Sequence, residues 1–173
     1  PPGSPAMMKI AVLGWGSLIW DPRTLRTDGT WRPDGPWLPI EFSRVSSAGH
    51  LTLVIDEAQG ASVRTYWTIS QLERLEEGIE NLRQREGSGV QSDEIGYFLC
   101  ETSRKGAVGR QAVTTYRCRV GGVSGELESW VNQSGCGAVI WTDLEPNFEQ
   151  ETHEPFSVEA AIAYLKRLHG RAR

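Results

Sequence analysis

The chain has 173 residues, of which 39% are hydrophobic and 23% are charged, with a formal net charge of −4. This balance allows a packed core and excludes an intrinsically disordered chain. A mildly acidic chain without a Lys/Arg cluster offers no electrostatic footprint for nucleic acid or an anionic membrane, so we expect neither as a partner. The length suits one domain, which we place at residues 7–173.

The N-terminal segment and the cysteines bear on the compartment. Residues 1–6 lack both regions of a signal peptide, and we interpret them as a cloning remnant before a natural start at one of the two methionines that follow. No apolar run reaches the roughly 18 residues that span a bilayer. Cys100, Cys118 and Cys136 are an odd set without C-x-x-C spacing, which favours buried thiols in a reducing compartment over disulfides or zinc. We expect a cytoplasmic protein.

The first third of the chain predicts strands. Residues 10–13 form a short apolar run ended by glycine, typical of a central strand that is covered on both faces. Residues 20–37 are rich in Pro, Gly, Asp and Thr and predict a loop. A hairpin follows, with a turn at residues 46–49 and with Leu38, Ile40 and Phe42 on one face of its first strand. Residues 63–69 predict one further alternating strand.

The clearest helix is predicted to begin at Ser70, whose spacing to Glu73 matches a capping box, and to end near Gly87. Gly78 inside it predicts close packing, since glycine lowers helix propensity. The remaining elements are predicted from periodicity. They are strands at residues 95–101, 112–120 and 137–141, a turn at 103–109, a helix at 125–132, an acidic loop at 143–155 and a last helix.

The last helix is predicted to be capped by Ser157. Its apolar side chains recur at helical spacing and predict one shared face, made by Val158, Ala161, Ile162, Leu165 and Leu168. Many strands with two main helices predict an α+β fold. The simplest such architecture is a small closed or nearly closed β-barrel with helices packed on it.

The first candidate for chemistry is the loop after the first strand, formed by Gly14, Trp15, Gly16, Ser17 and Leu18. Two glycines around a bulky residue allow a tight turn that presents consecutive backbone N–H groups to an anion. A dinucleotide fingerprint would need glycine at Ile19, and a hydrolase elbow would need glycines two residues on either side of Ser17. Neither pattern fits, so an anion-binding loop and a simple turn both stay open.

The second candidate is Glu86, at the C-terminal end of the predicted helix. A carboxylate there faces the negative end of the helix dipole and, if partly buried, could exchange a proton with a substrate. Arg83 and Arg85 would oppose the dipole if they lie close to the carboxylate. As one acid among 22, Glu86 taken alone fits a solvated surface position better than a catalytic one.

Together these two segments resemble the γ-glutamylcyclotransferase-like family. Its members carry Tyr-Gly-Ser-Leu after the first strand and, past a helix, a catalytic glutamate, often in an Arg-Glu or Glu-Gly context. This chain has Gly-Trp-Gly-Ser-Leu-Ile-Trp at residues 14–20 and Arg-Glu-Gly at 85–87. The sequence of residues 14–20 is most similar to that of the ChaC-type branch, which acts on glutathione. The resemblance covers about residues 10–120.

The resemblance implies a γ-glutamyl cyclotransferase, which releases 5-oxoproline when the substrate's own amine attacks its γ-amide. Glu86 would be the general acid/base, residues 14–18 would bind the substrate, and no metal or organic cofactor is implied. Trp15 stands where the family has tyrosine, and an indole donates one hydrogen bond but accepts none. Two alternatives remain on the same fold: a non-catalytic small-molecule binding module, and a transferase or hydrolase of another small amide.

Two more residues are candidates for substrate binding. Arg44 follows an alternating strand and could pair with a substrate carboxylate, or it could support the hairpin. Tyr97 lies in the strand after Glu86 and could line the pocket, or it could pack within the sheet. The three histidines lack ligand spacing, so no metal site is predicted.

Overall fold

The computed structural model describes residues 7–102 and 111–171. The N-terminal hexapeptide and the turn predicted at residues 103–109 lie outside these ranges. The described residues contain eight strands and five α-helices, so the predicted α+β class is confirmed. No helix among them is long and apolar enough to cross a bilayer.

The elements follow in chain order. The strands are β1 (Ile10–Gly14), β2 (Trp37–Val45), β3 (Leu51–Ile55), β4 (Ala61–Arg64), β5 (Tyr66–Ile69), β6 (Ile95–Thr102), β7 (Gln111–Arg117) and β8 (Ala138–Thr142). The helices are α1 (Ser17–Trp20), α2 (Leu75–Glu86), α3 (Ser124–Ser134), α4 (Phe148–Thr152) and α5 (Val158–Arg171).

These strands lie in two sheets. One has the order β5-β1-β8-β6-β7 and the other has the order β3-β2-β4. In the first sheet β1 runs parallel to β8 and antiparallel to β5, while β6 is antiparallel to both of its neighbours. Among the described residues no closed barrel is found.

The chain falls into two compact units. The first comprises Pro1–Trp37 and Arg64–Asp143 and contains the five-stranded sheet with α1, α2 and α3. The second comprises Leu38–Val63 and Leu144–Arg173 and contains most of the three-stranded sheet with α4 and α5. One domain over residues 7–173 stays a prediction.

The core of the first unit is built around β1 and β8. All five residues of β1 are buried, and the strand lies inside the sheet, so the predicted central strand is confirmed. α2 covers one face through Leu75 and Leu82, and Gly78 lies against Ile10 and Ile140. The packing at Gly78 is not closer than an alanine would allow, because a Cβ there would lie 3.5 Å from both isoleucine side chains. Two of the cysteines, Cys100 and Cys136, are buried, which raises the pKa of each thiol.

The predicted start of α2 at Ser70 is wrong. The backbone N–H of Ser70 donates to the carbonyl of Ile10 at 2.9 Å, and its Oγ accepts the N–H of Leu72 at 3.0 Å. Ser70 therefore continues the pairing with β1 and closes a local turn, and the helix begins at Leu75 after Arg74. The predicted end is confirmed, because α2 stops at Glu86 and Gly87 caps it.

Three other sequence predictions need correction. The pairing of β2 with β3 shifts between Glu41 and Arg44, which turns Phe42 outward to 48% exposure. The strand predicted over residues 63–69 is split at Thr65, whose Oγ1 donates to the carbonyl of Pro36, so its halves join different sheets. The acidic loop contains α4, whose first residue is buried.

The loop before β2 is fixed to the sheet by Asp28. Its carboxylate accepts hydrogen bonds from Arg32 Nη2 at 2.8 Å, Thr68 Oγ1 at 2.9 Å and the Thr30 N–H at 3.0 Å. Burial alone would raise the pKa of Asp28, but the hydrogen bonds, above all that from Arg32, outweigh it and lower the pKa from 3.8 to about 2.

Asp28→Asn is expected to lower the free energy of unfolding by about 1 kcal/mol at pH 7, a value that allows for solvent screening of a partly exposed carboxylate. A lowered pKa means that Asp28 stabilises the fold above pH 3.8 and loses this contribution as pH falls towards 2. Urea titrations of both proteins between pH 7 and pH 3 check the sign. A difference that stays constant over this range would contradict the prediction.

The second unit is held by α5 and an aromatic cluster. Ser157 Oγ accepts the N–H of Ala160 at 3.0 Å, which confirms the predicted cap. Ala161 packs with Val45 and Phe148 in a small core. The apolar face predicted for α5 is only partly buried, because Ala161 is buried here whereas other side chains of that face are exposed.

Candidate functional site

The loop at residues 14–18 is a tight turn that leads into the single turn of α1. Gly16 has a φ of 89°, a left-handed conformation that favours glycine, and its carbonyl accepts the N–H of Ile19 at 3.1 Å. A Cβ at Gly14 would lie 2.6 Å from the ring of Trp31, so a larger residue cannot fit there. As at any helix start, the first N–H groups after Gly16 lack intrahelical acceptors.

Glu86 is the last residue of α2, and its side chain is only 18% exposed. Thr142, at the end of β8, donates a hydrogen bond from Oγ1 to Glu86 Oε1 at 3.0 Å. Arg85 Nη1 lies 3.5 Å from the same oxygen. The solvated surface position that the sequence left open is therefore wrong, since the carboxylate is held against the sheet.

Arg85 connects Glu86 with the loop. Its side chain is 6% exposed, and its Nε and Nη2 donate to the carbonyl of Asp21 at 3.2 and 2.7 Å. Nη2 also donates to Ser17 Oγ at 3.3 Å, while Nη1 reaches Glu86. One buried guanidinium thus bonds to both segments that the sequence singled out.

Arg85 is buried because of its place on α2. It follows Leu75, Gly78 and Leu82 at helical spacing, so it continues the stripe that packs inward. A buried charge is unfavourable unless it is paired, and here backbone and side-chain acceptors surround the guanidinium. Asn81, one turn earlier, also bonds to the backbone, with its Nδ2 donating to the carbonyl of Thr24 in the loop at residues 20–37 at 3.0 Å.

The comparisons with known proteins give no match. No protein-family model matches the sequence, and no curated protein or solved structure matches it either. Within residues 7–102 and 111–171, no group of three or more His, Cys, Asp or Glu side chains is arranged to hold a metal ion. The chemistry open to the cluster is that of its own side chains: a carboxylate, a guanidinium and two hydroxyls.

The two oxygens of Glu86 differ in their surroundings. Oε1 takes both the Thr142 hydrogen bond and the Arg85 contact. Oε2 accepts no hydrogen bond from any residue that the structure describes. One oxygen is therefore anchored and fixes the orientation of the carboxylate, and the other is available to exchange a proton with a bound molecule.

The two weaker candidates lie in different places. Tyr97 on β6 pairs with Ile140 on β8, so it shares the sheet face that α2 covers, and its ring lies 5.2 Å from the Arg117 guanidinium. Arg44 belongs to the second unit, where its Nη1 donates to the Glu145 carbonyl at 2.6 Å. The described contacts join neither of them to Glu86.

The sequence reasoning missed the roles of Arg85 and Thr142. A signal for Arg85 was present, because an arginine on the apolar stripe of a helix is expected to be buried and paired. Thr142 ends a run of apolar residues in β8 and pairs with Ile95 on β6. Nothing in the sequence around Thr142 indicates that Glu86 lies nearby. That contact depends on how α2 crosses the sheet.

Proposed function

We propose that this chain is a γ-glutamyl cyclotransferase that releases 5-oxoproline from a small γ-glutamyl amide, with Glu86 as the general acid/base. The observation that carries the proposal is the bridge made by Arg85. It bonds Ser17 of the candidate loop and contacts the Glu86 carboxylate, two segments that lie about 70 residues apart in the sequence.

The reaction moves two protons from the substrate's α-ammonium to the leaving nitrogen. Glu86 Oε2 takes the first proton, and the resulting amine attacks the γ-carbonyl carbon to close a five-membered ring. The C–N bond to the leaving group then breaks as the protonated Glu86 returns this proton to the departing nitrogen. The ring nitrogen passes its second proton through Glu86 to the departing amine, so the products are 5-oxoproline and an ammonium, and no water is consumed.

The neighbours of Glu86 support these steps. The Thr142 hydrogen bond fixes the orientation of the carboxylate. This raises the reaction rate, because proton transfer is slow when the acceptor is misplaced. The N–H groups at the start of α1 would hold the oxyanion or the substrate carboxylate. The Arg85 guanidinium adds positive charge beside this position, which favours an anionic substrate.

The proposal also includes finer expectations from the resemblance. These are the barrel-type fold of the γ-glutamylcyclotransferase-like family, a cytoplasmic location and a glutathione-type substrate. Tyr97, on the sheet face that α2 covers, is proposed to line the substrate site, and Trp15 is proposed to alter substrate choice relative to a tyrosine. The pairing of Arg44 with a substrate carboxylate stays a prediction from the sequence.

A second function has one observation in its favour. Glu86 is already engaged by Arg85 and Thr142, an arrangement that would also serve to fasten α2 to the loop and to β8. A binding module that holds a small γ-glutamyl or related compound without turnover would need no more than this.

The test incubates the protein with glutathione and with a panel of γ-glutamyl amino acids and amines. Chromatography measures the 5-oxoproline that is released. Product formation with at least one substrate supports the enzyme. Binding of a panel member by calorimetry without product supports the binding module. Neither product nor binding from the folded chain would refute both and would leave another small amide as the substrate to seek.

A further inference from the structure

Helix α5 carries an apolar stripe that residues 7–102 and 111–171 leave uncovered. The helix packs on its own unit through Ala161 and Tyr164. Val158, Ile162 and Leu165 are 61%, 46% and 41% exposed. Their spacing of four and three residues aligns them along one side of the helix. Aliphatic side chains that are exposed in a continuous row mark an interaction site rather than a solvated face.

Two opposite charges flank this stripe on the same side. Glu159 and Lys166 are seven residues apart, which is close to two full turns, so they lie roughly 10 Å from each other along the helix. Both are exposed, and neither forms an ion pair within the part of the chain that the structure describes. Arg167, by contrast, already pairs with Glu154 at 3.5 Å.

We propose that α5 pairs with α5 of a second copy of this chain, antiparallel, about a two-fold axis beside Ile162. Such an axis keeps the charged flanks of the two helices on the same side and reverses their direction. Glu159 then faces Lys166 of the partner subunit, and the reciprocal pair forms at the other end. Val158 faces Leu165 of the partner subunit.

The apolar and charged positions require the same register. The midpoint between Val158 and Leu165 and the midpoint between Glu159 and Lys166 each fall within one residue of Ile162. A self-complementary surface of this kind matches an isologous dimer. An anionic membrane fits less well, because a helix that lies on such a surface carries mainly Lys and Arg along its polar side, whereas Glu159 borders this stripe.

The buried surface is small, so a weak dimer is expected, with a Kd on the order of 10–100 µM. Sedimentation velocity of the whole chain from about 5 to 500 µM, spanning that Kd, measures it. Ile162→Arg brings two cations together at the axis and is expected to raise the Kd at least about tenfold. Gln150→Arg adds the same charge at an exposed position on α4, away from the stripe and its charged flank, and serves as the matched control.

A charge exchange tests the register. Lys166→Glu places two acids opposite each other at both ends of the interface and is expected to raise the Kd about three- to tenfold. The double variant Glu159→Lys/Lys166→Glu restores opposite charges and is expected to return the Kd to that of the wild type. Thermal melts confirm that each variant is folded.

The outcomes are distinct. Loss of the dimer with Ile162→Arg, its retention with Gln150→Arg and its recovery in the double charge exchange support the proposal. A wild-type chain that stays monomeric throughout overturns it and leaves the stripe to a different protein partner. A dimer that none of these variants changes also overturns it, because its interface then lies elsewhere.

Discussion

Glu86→Gln is expected to lower kcat for 5-oxoproline release by about 10³-fold, with a smaller change in KM. The amide keeps the size of the side chain and can still accept the Thr142 hydrogen bond through its oxygen, but it cannot carry the proton. Steady-state kinetics on the best panel substrate measure the effect. Because binding contacts are retained, the substrate should still protect the variant against thermal unfolding.

A matched control lies on the same helix. Glu76 is exposed in the first turn of α2, so Glu76→Gln makes the identical chemical change away from the site and is expected to leave kcat unchanged. Glu86→Asp, which withdraws the carboxylate by one methylene, is expected to fall between wild type and Gln. More than a tenth of wild-type kcat in Glu86→Gln would rule out the acid/base role.

Much of the fold is predictable because burial leaves a local pattern in the sequence. The apolar runs at β1 and β8 predict inner strands, and Ser157 and Gly87 mark helix ends through hydrogen bonds and conformations that depend on their neighbours alone. These features depend on neighbouring residues and not on distant ones. The strands and helix ends predicted from them are therefore confirmed.

The errors arise where a distant residue decides the outcome. Ser70 has the spacing of a cap, but its N–H is taken by the carbonyl of Ile10 on a strand far away in the sequence. Thr65 fits an alternating strand, yet its bond to Pro36 divides that strand between two sheets. Local periodicity records which residues are buried and cannot record which partner buries them.

The candidate site likewise has parts that the sequence predicts and a part that it does not. Glu86 and the loop could be singled out from residue types and from the family resemblance, because each is a short contiguous segment. Their connection could not, since it passes through the Arg85 side chain and depends on the packing of α2 against the turn at Ser17. Arg85 was visible only as a charge on an apolar stripe.

Gly96→Ala is expected to destabilise the chain by about 3 kcal/mol or more, which corresponds to a fall in Tm of about 6–12 °C. Gly96 on β6 lies opposite Trp141 on β8, and a Cβ there would come within 2.3–2.5 Å of three atoms of the indole. Trp141 is fully buried and its ring stacks on Phe98, so it has no room to move away.

Gly78→Ala is the control that separates this clash from a general cost of adding a methyl group. A Cβ at Gly78 would lie 3.5 Å from the side chains of Ile10 and Ile140, an ordinary contact, and the helix gains propensity. It is expected to stabilise the chain by up to about 1 kcal/mol. Urea titrations compare the two variants. If both changed the free energy of unfolding by the same amount, the Trp141 ring would not be the reason for glycine at residue 96.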